Sequence, residues 1–205
     1  AGLYARTADY GYKLGADGTC DVWWAEGAYK IMRNDPVPAG KPVPVQISAA
    51  ANEYESIQLV ILPYKPMEGF KVLAEDLKSI TGASIPGAQM SIRKVEYIEV
   101  VRPTDNYGKP GWYPDPLPLM EGPIDLEEGI NHPFFITLKV PADASPGEYS
   151  GLIRLMAGGW SMEIPVSLKV WNFTLPEEPS MRSSFGMHTN MIRNYHNLDT
   201  DEELR

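Results

Sequence analysis

The sequence predicts an all-β chain, an antiparallel β-sandwich that gives way near its C-terminus to the opening strand and helix of an α/β domain. Three observations carry this prediction. Apolar residues recur with a two-residue period in several short runs, Gly and Pro punctuate the chain between the runs, and the pattern changes near residue 175. With 19 Pro and 18 Gly in 205 residues, long helices are cut while short strands joined by turns are favoured.

The clearest strand runs over 160–170. Trp160, Met162, Ile164, Val166, Leu168 and Val170 fall on one face, and Ser161, Glu163, Ser167 and Lys169 on the other. A strand over 152–156 precedes it, and Ala157-Gly158-Gly159 suits a tight hairpin between the two. Phe134, Ile136, Leu138 and Val140 alternate in the same way. Further strands are expected at 43–48, 56–62, 70–73 and 90–102. Pro44 and Pro165 inside two of these runs argue for edge positions or bulges, because proline has no N–H for the ladder. The Pro-, Gly- and acid-rich stretch 103–131 reads as a long loop.

From Leu175 the chain reads as a linker, Leu175-Pro176-Glu177-Glu178-Pro179. Ser183-Ser184-Phe185-Gly186-Met187 follows as a short strand, and Thr200-Asp201-Glu202-Glu203 has the capping-box pattern that opens a helix. The expected organisation is an N-terminal extension over 1–22, the sandwich over 23–175, and over 176–205 a linker with the start of an α/β domain whose remainder the sequence does not contain, for which truncation is the simplest account.

Composition narrows the function classes. The net charge is −9, with 27 acidic against 18 basic residues and no basic cluster, which disfavours nucleic acid as a partner. Cys20 is the single cysteine, so neither an intrachain disulfide nor a cysteine-based metal site forms. No run approaches the roughly 20 apolar residues of a membrane span. Residues 1–10 lack a basic-then-apolar leader, which leaves a cytosolic protein or one whose signal peptide has been removed. No phosphate loop and no Gly-x-Ser-x-Gly elbow occurs. No cofactor is expected.

Five motifs in order resemble the N-terminal sandwich of glycoside hydrolase family 123-like proteins, including glycoside-hydrolase-like proteins of gut bacteria. They are Asp21-Val22-Trp23-Trp24 leading into Tyr29-Lys30-Ile31, then Ala51-Asn52-Glu53-Tyr54-Glu55-Ser56-Ile57-Gln58-Leu59 and Gly111-Trp112-Tyr113-Pro114-Asp115-Pro116-Leu117. Val140-Pro141-Ala142-Asp143-Ala144-Ser145-Pro146-Gly147-Glu148-Tyr149-Ser150-Gly151 and Val170-Trp171-Asn172-Phe173-Thr174-Leu175-Pro176 complete the set. The resemblance implies a sandwich followed by a catalytic (β/α)₈ barrel that removes N-acetylgalactosamine-type sugars with the help of the substrate's acetamido group and an acidic pair. That pair lies in the barrel, so no catalytic residue carries over to this chain. A periplasmic or secreted bacterial protein, with cell-surface attachment as a variant, fits the resemblance.

Candidate site residues are few. Trp112, Tyr113 and Asp115 combine aromatic faces that stack on sugar C–H groups with a hydroxyl acceptor, and serve glycan contact or interdomain packing. Trp23 and Trp24 are adjacent, so on a strand one faces the core and the other an interface or a surface platform. Glu53 and Glu55 are two apart and share a face on a strand; they read as loop carboxylates bonded to backbone amides or a neighbouring Arg, with an acid–base pair as the competing reading. His188 follows the expected first barrel strand, where barrel active sites are built, and His132 reads as a surface histidine. No metal spacing joins the three His. The function expected from all this is a non-catalytic accessory sandwich docked on the barrel. The alternatives are a carbohydrate-binding module using exposed aromatics and a structural or adhesion sandwich.

Overall fold

The computed structural model describes residues 9–104, 108–178, 180–181, 186 and 188–203. Among them fourteen strands form: β1 (Gly11–Ala16), β2 (Cys20–Glu26), β3 (Val45–Ala51), β4 (Tyr54–Pro63), β5 (Met67–Ala74), β6 (Leu77–Ser79), β7 (Ser84–Ile85), β8 (Met90–Lys94), β9 (Tyr97–Val100), β10 (Gly111–Pro114), β11 (Ile124–Leu126), β12 (His132–Lys139), β13 (Gly147–Ala157) and β14 (Trp160–Thr174). One sheet has the order β1-β2-β4-β12-β8. A second runs β11-β5-β13-β14-β3, with β6 and β7 attached through β13. The inner faces of the two sheets share one apolar core, including Leu59, Phe70, Phe134, Leu155 and Leu168, which makes the fold a β-sandwich.

Strands differ in pattern because they differ in how many faces are covered. In β14, Ile164, Val166, Leu168 and Val170 are buried while the residues between them reach solvent, the alternation of a sheet with one wet face. In β4, Ile57 to Ile61 are buried without a break. Its outer face is roofed by the segment after β2, where Ile31 and Val37 pack on Trp23, Ala25 and Val60 in a small second core. Pairing is antiparallel except between β14 and β3, which run parallel. Val166 opposite Val45 opens that ladder, so Pro165 and Pro44 stand just before it, where a missing N–H breaks no bond between the two strands. Gly158, at φ 55°, supplies the positive φ of the β13–β14 hairpin.

Three expectations change. Residues 11–22 are not an extension: β1 and the start of β2 form the edge of the first sheet, fixed by stacking of Tyr12 on Trp24 at 4.6 Å between ring centroids. The run 90–102 is two strands, because the chain turns out of the sheet at Val95 and Glu96. There the Val95 N–H donates to the Pro133 carbonyl (2.9 Å), and β9 continues into a separate hairpin with β10. The stretch 103–131 therefore holds β10 and β11 rather than a bare loop.

The chain divides into two compact units at Leu175 and Pro176. In the second, α1 (Thr189–His196) ends on Asn197 in the left-handed conformation, whose N–H donates to the Arg193 carbonyl. The reciprocal capping bonds form downstream: the Thr200 N–H donates to Glu203 Oε2 (3.0 Å) and the Glu203 N–H to Thr200 Oγ1 (3.2 Å). The strand expected at 183–187 lies outside the described residues apart from Gly186. No helix among the described residues is long and apolar enough to cross a membrane.

Candidate functional site

The best-built groove lies where β12 begins. The loop after β2 carries Arg33, and its shape is fixed by buried polar groups. The Asp35 carboxylate, buried, accepts the Met32 N–H (2.8 Å) and the Tyr10 hydroxyl (3.0 Å). Asn131, 1% exposed, donates from Nδ2 to the carbonyls of Met32 (3.1 Å) and Asp35 (2.8 Å), and from its backbone N–H to the Arg33 carbonyl (2.8 Å). Tyr97 on β9 donates its hydroxyl to the Ile31 carbonyl at 2.9 Å, and burial pushes that phenol well above its ordinary value, so it stays a donor.

Arg33 is thereby held over an aromatic corner. Its guanidinium carbon is 4.9 Å from the ring centre of Trp112 and 5.9 Å from that of Tyr97, within cation–π range. Nη2 also donates to Glu127 Oε2 at 3.3 Å. Trp112, 43% exposed, walls an open groove of about 650 Å³ with Met32, Arg33, Pro36, Gly111 and Ile130. A smaller hollow of about 220 Å³ shares Arg33 and Trp112 and reaches Lys94, Glu127 and His132. His132 is buried rather than superficial. Its Nε2 lies 3.0 Å from the Glu127 carbonyl, and burial holds its pKa below the ordinary histidine value.

The other sequence candidates scatter. On β10 the two-residue alternation separates Tyr113 from Trp112; the Tyr113 hydroxyl donates to the Lys109 carbonyl (2.9 Å) and its ring does not line the groove. Asp115 lies past the end of β10, exposed, its N–H donating to the Glu96 carbonyl at 3.1 Å. Trp23 and Trp24 are both buried, so neither forms a surface platform. Trp24 faces the main core and donates Nε1 to the Val43 carbonyl (3.0 Å), while Trp23 fills the second core under Ile31 and Val37.

Glu53 precedes β4 and accepts the Ala50 N–H at 2.6 Å. Glu55, on β4, borders a separate groove of about 550 Å³ with Glu26, Tyr54 and Phe135. Burial first, then the neighbouring Glu53 and Glu26 charges, raises its pKa. His188, in the second unit, is the residue before α1, and its carbonyl accepts the Met191 N–H. Arg33, Glu127 and Asn131 were not among the sequence candidates. The Arg33-Asn34-Asp35-Pro36 turn and an Asn directly before an alternating strand were the available signals. Among the described residues no cluster of three or more His, Cys, Asp or Glu could hold a metal ion.

The model of the Glycoside hydrolase 123 N-terminal domain matches residues 24–157. Among solved structures the chain is similar to a family 123 glycoside hydrolase from Clostridium perfringens, described for glycolipid glycan hydrolysis, with 18% identity and a TM-score of 0.73. The match covers 91% of this chain and 33% of that one, so this chain spans about a third of the hydrolase. The CooA pilin subunit from enterotoxigenic Escherichia coli also matches, with 16% identity over 77% of this chain and 99% of that one, at a TM-score of 0.37. No curated protein matches.

Proposed function

The chain belongs to the glycoside hydrolase 123 N-terminal domain family, and from that premise we propose that it is a non-catalytic accessory sandwich of a bacterial glycoside hydrolase acting on N-acetylhexosamine-containing glycans. Its role is to dock on and support a catalytic barrel that follows it in the same polypeptide. The same reading places the protein in the periplasm or outside the cell.

The observation that carries the reading is the rim where the chain leaves the sandwich. The Leu175 N–H donates to the Ala51 carbonyl (2.9 Å), and Asn52 Nδ2 donates to the Leu175 carbonyl (2.9 Å). Lys139 Nζ closes the clasp on Asn52 Oδ1 at 2.7 Å. Asn52 sits at φ 65°, a conformation that asparagine tolerates better than most residues. Around this fixed exit Tyr54, Trp171 and Phe173 are 65%, 43% and 58% exposed. Large aromatics gathered on the rim of an acidic domain mark a contact surface. The fact that this chain spans a third of the similar hydrolase agrees with a further domain beyond it.

The test is hydrolysis of an aryl N-acetylgalactosaminide by the 205-residue chain and by the same chain continued through its reading frame. Turnover by the longer protein alone is expected, with Trp171→Ser and Phe173→Ser lowering the thermal midpoint of the longer protein but not of the shorter. Turnover by the 205-residue chain would overturn the reading.

A further inference from the structure

We propose that the Arg33–Trp112 groove is a binding subsite for a neutral pyranose that presents two adjacent hydroxyls. The site is separate from the docking rim and does not rest on that reading. β12 spans eight residues, with His132 by the groove and Lys139 by the Leu175 clasp, so about 24 Å of strand lies between them.

The chemistry of the walls selects the ligand. Trp112 lines the groove half-exposed with the Arg33 guanidinium over its ring, and the indole surface left open is one on which the C–H face of a pyranose packs. Beside it, Arg33 has five N–H donors, and a single bond to Glu127 is made among the described residues. Glu127, which lines the adjoining hollow of about 220 Å³ that shares Arg33 and Trp112, is itself exposed and keeps acceptor positions open. A donor fork next to a carboxylate complements a vicinal diol, because each hydroxyl both gives and takes a hydrogen bond. A flat apolar ligand would leave Arg33 unfilled. An anion is disfavoured, because Glu127 at 3.3 Å already balances Arg33 and the chain carries −9 overall. A cation would meet the guanidinium.

The groove is also preorganised. Asn131, Asp35 and Tyr97 pin the loop that carries Arg33, so binding a sugar orders little that is not already ordered. Its volume of about 650 Å³ falls among small-molecule sites.

The test follows the indole N–H resonances of the five tryptophans in the full chain, with Trp112 assigned through Trp112→Phe. The probes are methyl β-galactopyranoside, methyl β-glucopyranoside, methyl α-mannopyranoside and, as the charged control, methyl β-glucuronide. At least one neutral glycoside is expected to shift the Trp112 signal, with the glucuronide weaker. Arg33→Lys, which keeps the charge and loses the fork, should weaken binding roughly tenfold. Trp112→Ala should abolish binding, and Trp171→Ala should leave it unchanged. Far-UV circular dichroism and the thermal midpoint establish that each variant is folded. The proposal fails if no neutral glycoside moves Trp112, if the glucuronide binds as well as the neutral sugars, or if Arg33→Lys binds like the parent.

Discussion

Replacing Asn131 by Ala tests whether the loop that carries Arg33 is held in the way described. The substitution deletes two donors, to the carbonyls of Met32 and Asp35, in a position that is 1% exposed. Breaking a bond to a buried carbonyl costs about 1–3 kcal/mol, so the gross loss is about 2–6 kcal/mol. One effect offsets it: Asn131 Oδ1 is buried and has no partner among the described residues, so alanine recovers a desolvation penalty of the same order as one bond. The net expectation is a loss of about 1–3 kcal/mol, which for a domain of this size lowers the thermal midpoint by about 2–12 °C. Differential scanning calorimetry reads the midpoint, and Asn131→Asp should be worse, because it sets a carboxylate against two carbonyls. An unchanged or raised midpoint for Asn131→Ala would refute the reasoning, since the two bonds would then contribute nothing beyond what the unpaired oxygen costs.

Three further outcomes are expected. Trp24→Phe should destabilise more than Trp23→Phe by about 1–3 kcal/mol, because the former strands the Val43 carbonyl while Trp23 Nε1 has no acceptor among the described residues; urea midpoints compare them. His132 has a folded pKa below its ordinary 6.5, so the unfolded chain takes up the proton first. Its contribution is complete above pH 6.5 and falls as pH drops below it, by at most about 1.4 kcal/mol per pH unit until the folded form also titrates; His132→Gln should flatten that slope in stability measured against pH. Glu55 has a folded pKa above 4.5, so its burial opposes folding once it ionises. Glu55→Gln should therefore raise stability at pH 7 and lose that advantage below pH 4.5, which paired denaturation curves at the two pH values check.

How far the sequence could be read depended on what covers each face. β13 and β14 were legible because one face of each is wet, so apolar and polar residues alternate along them. The adjacent Trp23 and Trp24 misled for the opposite reason: a loop anchored by Ile31 and Val37 roofs the outer face, and both rings are buried. β10 and β11, four and three residues long, fall in a stretch where Pro and Gly dominate, and pairing with β9 and β5 rather than local preference makes them strands. In the groove, Trp112 stood out as an aromatic in a Pro- and Gly-rich segment. Its partners did not, because Arg33 and Glu127 are 94 positions apart and Asn131 and Asp35 are 96 apart. Such contacts leave no periodic trace along the chain.

The parallel ladder between β3 and β14 also sets a timetable for synthesis. β3 lies at the end of its sheet and among the described residues pairs with β14 alone, and Val45 and Ser167 are 122 positions apart. At 5–20 residues per second, a ribosome needs about 6–24 s to bring the partner of β3 out after β3 itself. During that interval β4, with its buried run Ile57 to Ile61, can pair with β2, but the second sheet that must cover it is unfinished. Folding of so non-local a topology is slow and exposes strand edges. Nascent chains stalled before residue 166 should therefore bind chaperones and be readily proteolysed, and protection should rise sharply once the Leu175–Ala51 bond can close.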